Sequence, residues 1–283
     1  MQSELSSPLA APVLTPPAAP RGLSERLARR VFRIMLATQA VGAFALITLA
    51  VLLRKFNAAP EVIQPLIRQQ LYRAGLRLLP MFLFLAGALG FLIIGQAVVA
   101  LQKIGAVGYL GTIMVVVVVR ELGPLLAAVM VLARVGTANV VELGTARALG
   151  EVEGLEALGI DPIHYLVVPR VVGLALGTFS LTVYLIIGAL ASGYLWAFLQ
   201  DVPLLPGDYF RQLAGALRGL DFVLLALKTG AFGFVIAIVT CYHGLAQPLR
   251  LEEVSRATVR AVAQAIVAFV VLDALFILIY LLV

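Results

Sequence analysis

Five apolar runs, each long enough to cross a bilayer, dominate this chain: residues 78–101, 108–132, 165–199, 222–242 and 259–283. At about 1.5 Å per residue, roughly 20 apolar residues in a helix traverse the hydrocarbon core. The pattern predicts an all-α polytopic membrane protein. Composition agrees: 62% of residues are hydrophobic and only 13% are charged, against about 25% charged in a soluble domain. The run 165–199 is longer than one span needs, which implies tilt or an extension beyond the bilayer.

The N-terminal part divides into two. Residues 1–22, rich in Pro, Ala and Ser with no apolar core, read as a disordered tail rather than a cleaved signal peptide. An organellar transit peptide is the alternative. Residues 23–79 read as interfacial and amphipathic helices ahead of a transmembrane domain over 80–283. Within them, the apolar stretch 34–53 has Arg26, Arg29, Arg30 and Arg33 on one side and Arg54 and Lys55 on the other. Basic residues favour the cytosolic face, and both flanks ask for it. An interfacial or re-entrant helix satisfies both; a true span is the other reading. Residues 60–79 read as an amphipathic connector along the membrane surface.

Charge asymmetry sets the orientation. Placing 54–79, 134–170 and 245–260 in the cytosol leaves only Lys103, Arg211 and Arg218 outside. The formal net charge of +6 is then a cytosolic-face bias and not a nucleic-acid footprint. Small residues recur in the spans: Gly105, Gly108 and Gly111, then Gly188 and Gly193, then Gly230 and Gly233. They predict close helix packing within one subunit or between subunits.

Arg120, Glu121, Lys228 and Asp273 stand inside apolar runs. Counted from the outer ends, Glu121 lies roughly 10–13 residues in, Lys228 roughly 6–8 and Asp273 roughly 10, so all fall about 10–20 Å deep. They can meet at one level. The set reads either as ion pairs that brace helices or as the polar lining of a cavity, or a relay that changes partners. Pro124, four residues after Arg120, removes the backbone donor that the Arg120 carbonyl would pair with. It marks a candidate hinge.

Between Gly150 and Gly159 the chain carries Glu151, Glu153 and Glu156 among Val152, Leu155 and Leu158. This predicts a short amphipathic helix, opened and closed by the two glycines and stopped by Pro162. It reads either as a solvated loop helix or as a docking knob for a partner. No Walker phosphate loop and no His-Glu-x-x-His occur. His164, His243 and Cys241 are isolated, so nothing points to an enzyme, a metal site or a cofactor.

Arg120-Glu121-Leu122-Gly123-Pro124, Arg134-Val135-Gly136-Thr137-Ala138, Glu142-Leu143-Gly144, Glu156 through Asp161-Pro162 and Val168-Pro169-Arg170 follow in a characteristic order. With Lys228, Ser255-Arg256-Ala257-Thr258 and Asp273, they resemble the MlaE/YrbE permease family over about residues 60–283. The resemblance implies an MlaE-like ABC permease fold in a bacterial inner membrane, and a homodimer. It implies an ABC ATPase dimer below, an MCE-domain hexamer on the outer face and, in some systems, a STAS-domain protein. The cargo it implies is phospholipid or a related lipid, moved between inner membrane and outer envelope. Under it, residues 150–159 become a coupling helix, with Glu151, Glu153, Leu155, Glu156 and Leu158 as ATPase contacts. Arg120 and Glu121 become part of a lipid-cavity wall. The main rival is an ion-coupled secondary transporter using the membrane carboxylates Glu121 and Asp273. An intramembrane enzyme and a structural anchor are further rivals.

Overall fold

A computed structural model describes residues 23–55, 60–199, 205–245 and 250–282. The expectation for residues 1–22 lies outside the described residues. The described chain is helical, joined by short turns, with no strand among the described residues. It forms two compact units, one up to Gly42 and one from Ala43 onward.

Helix α1 runs over Leu23–Lys55 without a break, and the first unit holds its N-terminal part. Its described apolar portion is Thr38–Arg54.

The second unit contains five helical stretches long and apolar enough to cross a membrane. After the C-terminal part of α1 it holds α2, Pro60–Ala74, which has Glu61 in its first turn and Arg73 in its last, both matched to the helix dipole. After a turn at Gly75 comes α3, residues 79–103, with Pro80 in its first turn. Helix α4 covers Leu110–Ala148, far beyond the apolar run. Residues 133–148 look like a cytosolic loop in sequence, but they continue the helix.

The short helix α5, Glu151–Ala157, is bounded by Gly150 (φ 79°) and Gly159 (φ 75°). A left-handed turn at each end is sterically cheap only without a Cβ. Helix α6 covers Ile163–Leu199 and α7 covers Pro206–Ala216. Helices α8, Gly219–Leu245, and α9, Leu251–Leu282, complete the unit.

Helices α6 and α8 form the centre. The α8 span is 56% buried by its neighbours and the α9 span only 17%, so α9 carries bare apolar surface. Glycines let the central helices approach. A Cβ on Gly233 of α8 would sit 2.6 Å from the Ala175 Cα of α6. One on Gly188 would sit 2.8 Å from the Ala86 Cβ of α3. Phe232 and Phe269 meet edge-to-face at 5.2 Å and tie α8 to α9.

Not every glycine in the apolar runs serves this purpose. Gly105 (φ 69°) and Gly108 lie before α4 begins, with open space where a Cβ would be. Gly230 also has room. By contrast, α2 is docked into the body: a Cβ on Gly173 or Gly177 of α6 would strike Gln70 or Ala74 of α2.

One end of the bundle is basic, with Arg73, Arg134, Arg147 and Arg170. The opposite end is closed by α7. Its Tyr209 is buried, its hydroxyl donates to the Leu190 carbonyl at 3.1 Å, and burial pushes the phenol up to about 12. Gln212 accepts the Gly111 N–H at 3.2 Å. Residues 206–216 mix Pro, Gly, Asp and Arg, which conceals the Tyr209/Leu213 stripe that makes them an amphipathic helix.

Candidate functional site

The site grows out of an irregularity in α4. Residues Val115–Leu122 are wound as a π-helix, so the Gly123 N–H reaches back to the Val118 carbonyl. Such turns often mark functional positions. Pro124 follows at once and has no N–H to offer the Arg120 carbonyl. Lys228 of α8 takes that place: its Nζ donates to the Arg120 oxygen at 2.8 Å. A backbone acceptor released by a proline is thus satisfied by a buried cation.

Lys228 is fully buried and has two further partners. Glu121 Oε2 of α4 lies 2.9 Å away and Asp273 Oδ1 of α9 lies 2.7 Å away. The ammonium thus donates to two acceptors on α4 and forms an ion pair with the Asp273 carboxylate of α9. Arg120 turns to the other side of the same helix pair. Its Nη2 donates to Asp221 Oδ2 at 3.2 Å and its Nε lies 3.0 Å from Asp221 Oδ1. Its guanidinium also sits 5.0 Å over the Tyr280 ring of α9.

Asp221 is the member that sequence reasoning missed. It stands in the first turn of α8, one residue before the apolar run, and reads there as a boundary residue. Its Oδ2 also accepts the Arg218 N–H at 2.9 Å. The helix N-terminus favours its negative charge. The expected set of two cations and two carboxylates therefore becomes two cations and three carboxylates. The buried partners are Lys228 (0% exposed side chain) and Asp221 (5%), while Glu121 (29%) and Asp273 (17%) keep an open edge.

A second polar knot lies at the basic end. Glu142 of α4 receives Arg73 of α2 on one oxygen and Arg170 of α6 on the other, both at 2.9 Å. Arg170 also donates to the Leu166 carbonyl at 2.7 Å. Glu142 and Arg170 were visible only as parts of motifs and Arg73 only as one of the basic residues of 54–79, because Glu142 lies 69 and 28 residues from its partners.

The short helix α5 hangs below α4. Val152 is buried and anchors it, and Arg147 of α4 pairs with Glu153 at 3.2 Å. Leu155 is half-buried and Leu158 is 77% exposed. Leu149 and Ile160, which precede and follow this helix in the chain, are exposed as well. Glu151 and Glu156 face outward.

The isolated residues have structural partners. His243 Nε2 lies 2.8 Å from Gln264 Oε1 and links α8 to α9, and Cys241 is buried. Among the described residues, no group of three His, Cys, Asp or Glu side chains is placed to hold a metal ion.

Residues 67–279 match the family model described as Permease MlaE. A protein of Rickettsia conorii named as a probable ABC transporter permease is 31% identical over 234 residues, covering 80% of this chain and 86% of that protein. A Synechocystis protein with the same description is 32% identical over 205 residues, covering 71% and 76%. The chloroplastic TRIGALACTOSYLDIACYLGLYCEROL 1 protein of Arabidopsis thaliana is 29% identical over 211 residues, covering 72% of this chain and 58% of its own length.

Proposed function

The chain belongs to the MlaE permease family, and on that premise we propose that it is the membrane subunit through which a separate ATPase moves phospholipid or a related lipid. It is a multi-pass permease of the ABC type, and ATP hydrolysis belongs to a partner chain. In our reading the basic end faces the cytosol and α5 takes mechanical force from an ATPase pair. Two copies enclose a chamber that Arg120, Glu121, Lys228 and Asp273 help to line, with Pro124 as hinge. When the ATPase closes, the chamber narrows and expels lipid towards an MCE-domain partner on the outer face. A STAS-domain protein bound to the ATPase is compatible with this arrangement, and the membrane is a bacterial inner membrane.

The observation that carries this reading is the charged network joining α4, α8 and α9. Each charge at mid-membrane costs at least about 2.5–3.5 kcal/mol. Apolar side chains would brace the helices as well, since replacing buried ion pairs with hydrophobic residues is often neutral or stabilising. Five charges with two carboxylates left partly open suit a polar chamber wall better than a brace. The Arabidopsis relative, named for the lipid trigalactosyldiacylglycerol, supports a lipid cargo. A second reading has one observation behind it: Lys228 shared between Glu121 and Asp273 resembles an ion-coupled relay.

Lipids carrying a photoreactive group in the headgroup test the chamber. Crosslinks mapped by mass spectrometry are expected in the α4 segment around Glu121 and the α9 segment around Asp273. Crosslinks confined to the bare outward face of α9 would reduce the network to internal bracing.

A further inference from the structure

At the basic end, α2, the start of α3 and the end of α4's apolar run enclose a cavity of about 570 Å³, well away from the buried network. Arg73, Arg77 and Arg134 line it, and so do Gln70, Asn139 and Glu142. We propose that this cavity binds the phosphate of an anionic lipid headgroup in the leaflet at the basic end. The inference rests on the chain lying in a membrane and not on the transport mechanism.

Charge is the first support. The one carboxylate in the wall, Glu142, already has both oxygens engaged, by Arg73 and by Arg170 from outside the cavity. Arg77 and Arg134 have no hydrogen-bond or ion-pair partner among the described residues and are exposed. The cavity therefore keeps a positive surplus. Arginine forks match phosphate oxygens two at a time.

The second support is an unsatisfied donor. Asn139 lines the cavity and is 3% exposed, yet its Nδ2 has no acceptor. A buried amide without a partner is costly, and an anion in the cavity would bring the acceptor that this wall lacks.

The third support distinguishes a lipid from a soluble anion. Leu78, Met81, Val135 and Ala138 complete the wall. They sit where the apolar part of α3 begins and that of α4 ends, the level at which a headgroup meets its acyl chains. A site for free phosphate has no use for that apolar flank.

The test uses the full chain in mild detergent, with bound lipid read by native mass spectrometry. Phosphatidylglycerol is expected to bind at least about tenfold more tightly than phosphatidylcholine. The double variant Arg77→Gln/Arg134→Gln should lose that preference. Arg77→Lys/Arg134→Lys keeps the charge without the fork and should recover part of it. Arg211→Gln, at the opposite end and 82% exposed, should bind as the parent does. Equal phosphatidylglycerol binding by the parent and the double glutamine variant would overturn the proposal. So would binding of inorganic phosphate at millimolar concentration without any preference for the anionic lipid. No nucleotide or partner is needed, so failure here leaves the transport reading standing, and failure of transport leaves this site standing.

Discussion

Lys228 is the residue on which the membrane interior turns. It satisfies the carbonyl that Pro124 leaves unpaired and neutralises carboxylates from two other helices. Replacing it with Met strands Glu121 and Asp273 against each other. Removing one partner of a buried pair costs about 3–5 kcal/mol, so Lys228→Met should unfold well below the parent in a thermal or denaturant melt in detergent. Combining it with Glu121→Gln and Asp273→Asn removes the charges together and should restore most of that stability, while lipid transfer stays impaired. A triple variant with normal transfer would mean that the charges only brace the helices. Ionisable residues inside long apolar runs announce themselves, and Arg120, Glu121, Lys228 and Asp273 were legible for that reason. Asp221 was not, because a carboxylate at the edge of a run looks like any solvated helix start.

At the scale of the helix, contact is set by which glycines face a neighbour. A methyl group at Gly233 meets the α6 backbone, whereas one at Gly230 meets nothing within 4 Å. Gly233→Ala should therefore lower the melting temperature by an amount equivalent to about 1–3 kcal/mol, with Gly230→Ala close to the parent. Equal effects would show that α6 and α8 do not cross at Gly233. Spacing alone does not separate these two glycines, since both lie in the same apolar run.

The short helix α5 allows a similar comparison. Leu158 is far more exposed than Leu155, and Val152 anchors the helix. Leu158→Asp should abolish copurification with the ATPase, and Leu155→Asp should weaken it less. Undiminished copurification of the Leu158 variant would exclude α5 as the docking element. The glycines and Pro162 made α5 readable as an element. The helical continuation of α4 through residues 133–148 was harder to see, because its polar side chains resemble a loop and tertiary contacts supply what hydropathy does not. Helix α7 was hidden for the same reason: two buried side chains, Tyr209 and Leu213, define it.

Across the whole molecule, the apolar runs anticipated the five spans, and their charge bias anticipated a basic end. The tie between α2 and α6, and the three-way contact of Arg73, Glu142 and Arg170, depend on partners far apart in sequence. They emerge only once the bundle is assembled. Through α4 the molecule links the charged network to the short helix: α4 carries Arg120 and Glu121 in its middle and leads into α5 at its basic end. In the proposed reading, a push on α5 passes the Gly150 turn and then runs up α4 to the charged network, through the π-helical turns at Val115–Leu122 and Leu132–Gly136. These are the places where a helix can change its winding. The decisive measurement is lipid transfer from proteoliposomes that hold this chain with its ATPase and no ion gradient. The account predicts transfer that requires ATP and falls at least about tenfold in Glu121→Ala while the ATPase remains bound. Transfer driven by a proton gradient without ATP, or undiminished transfer by Glu121→Ala, would contradict it.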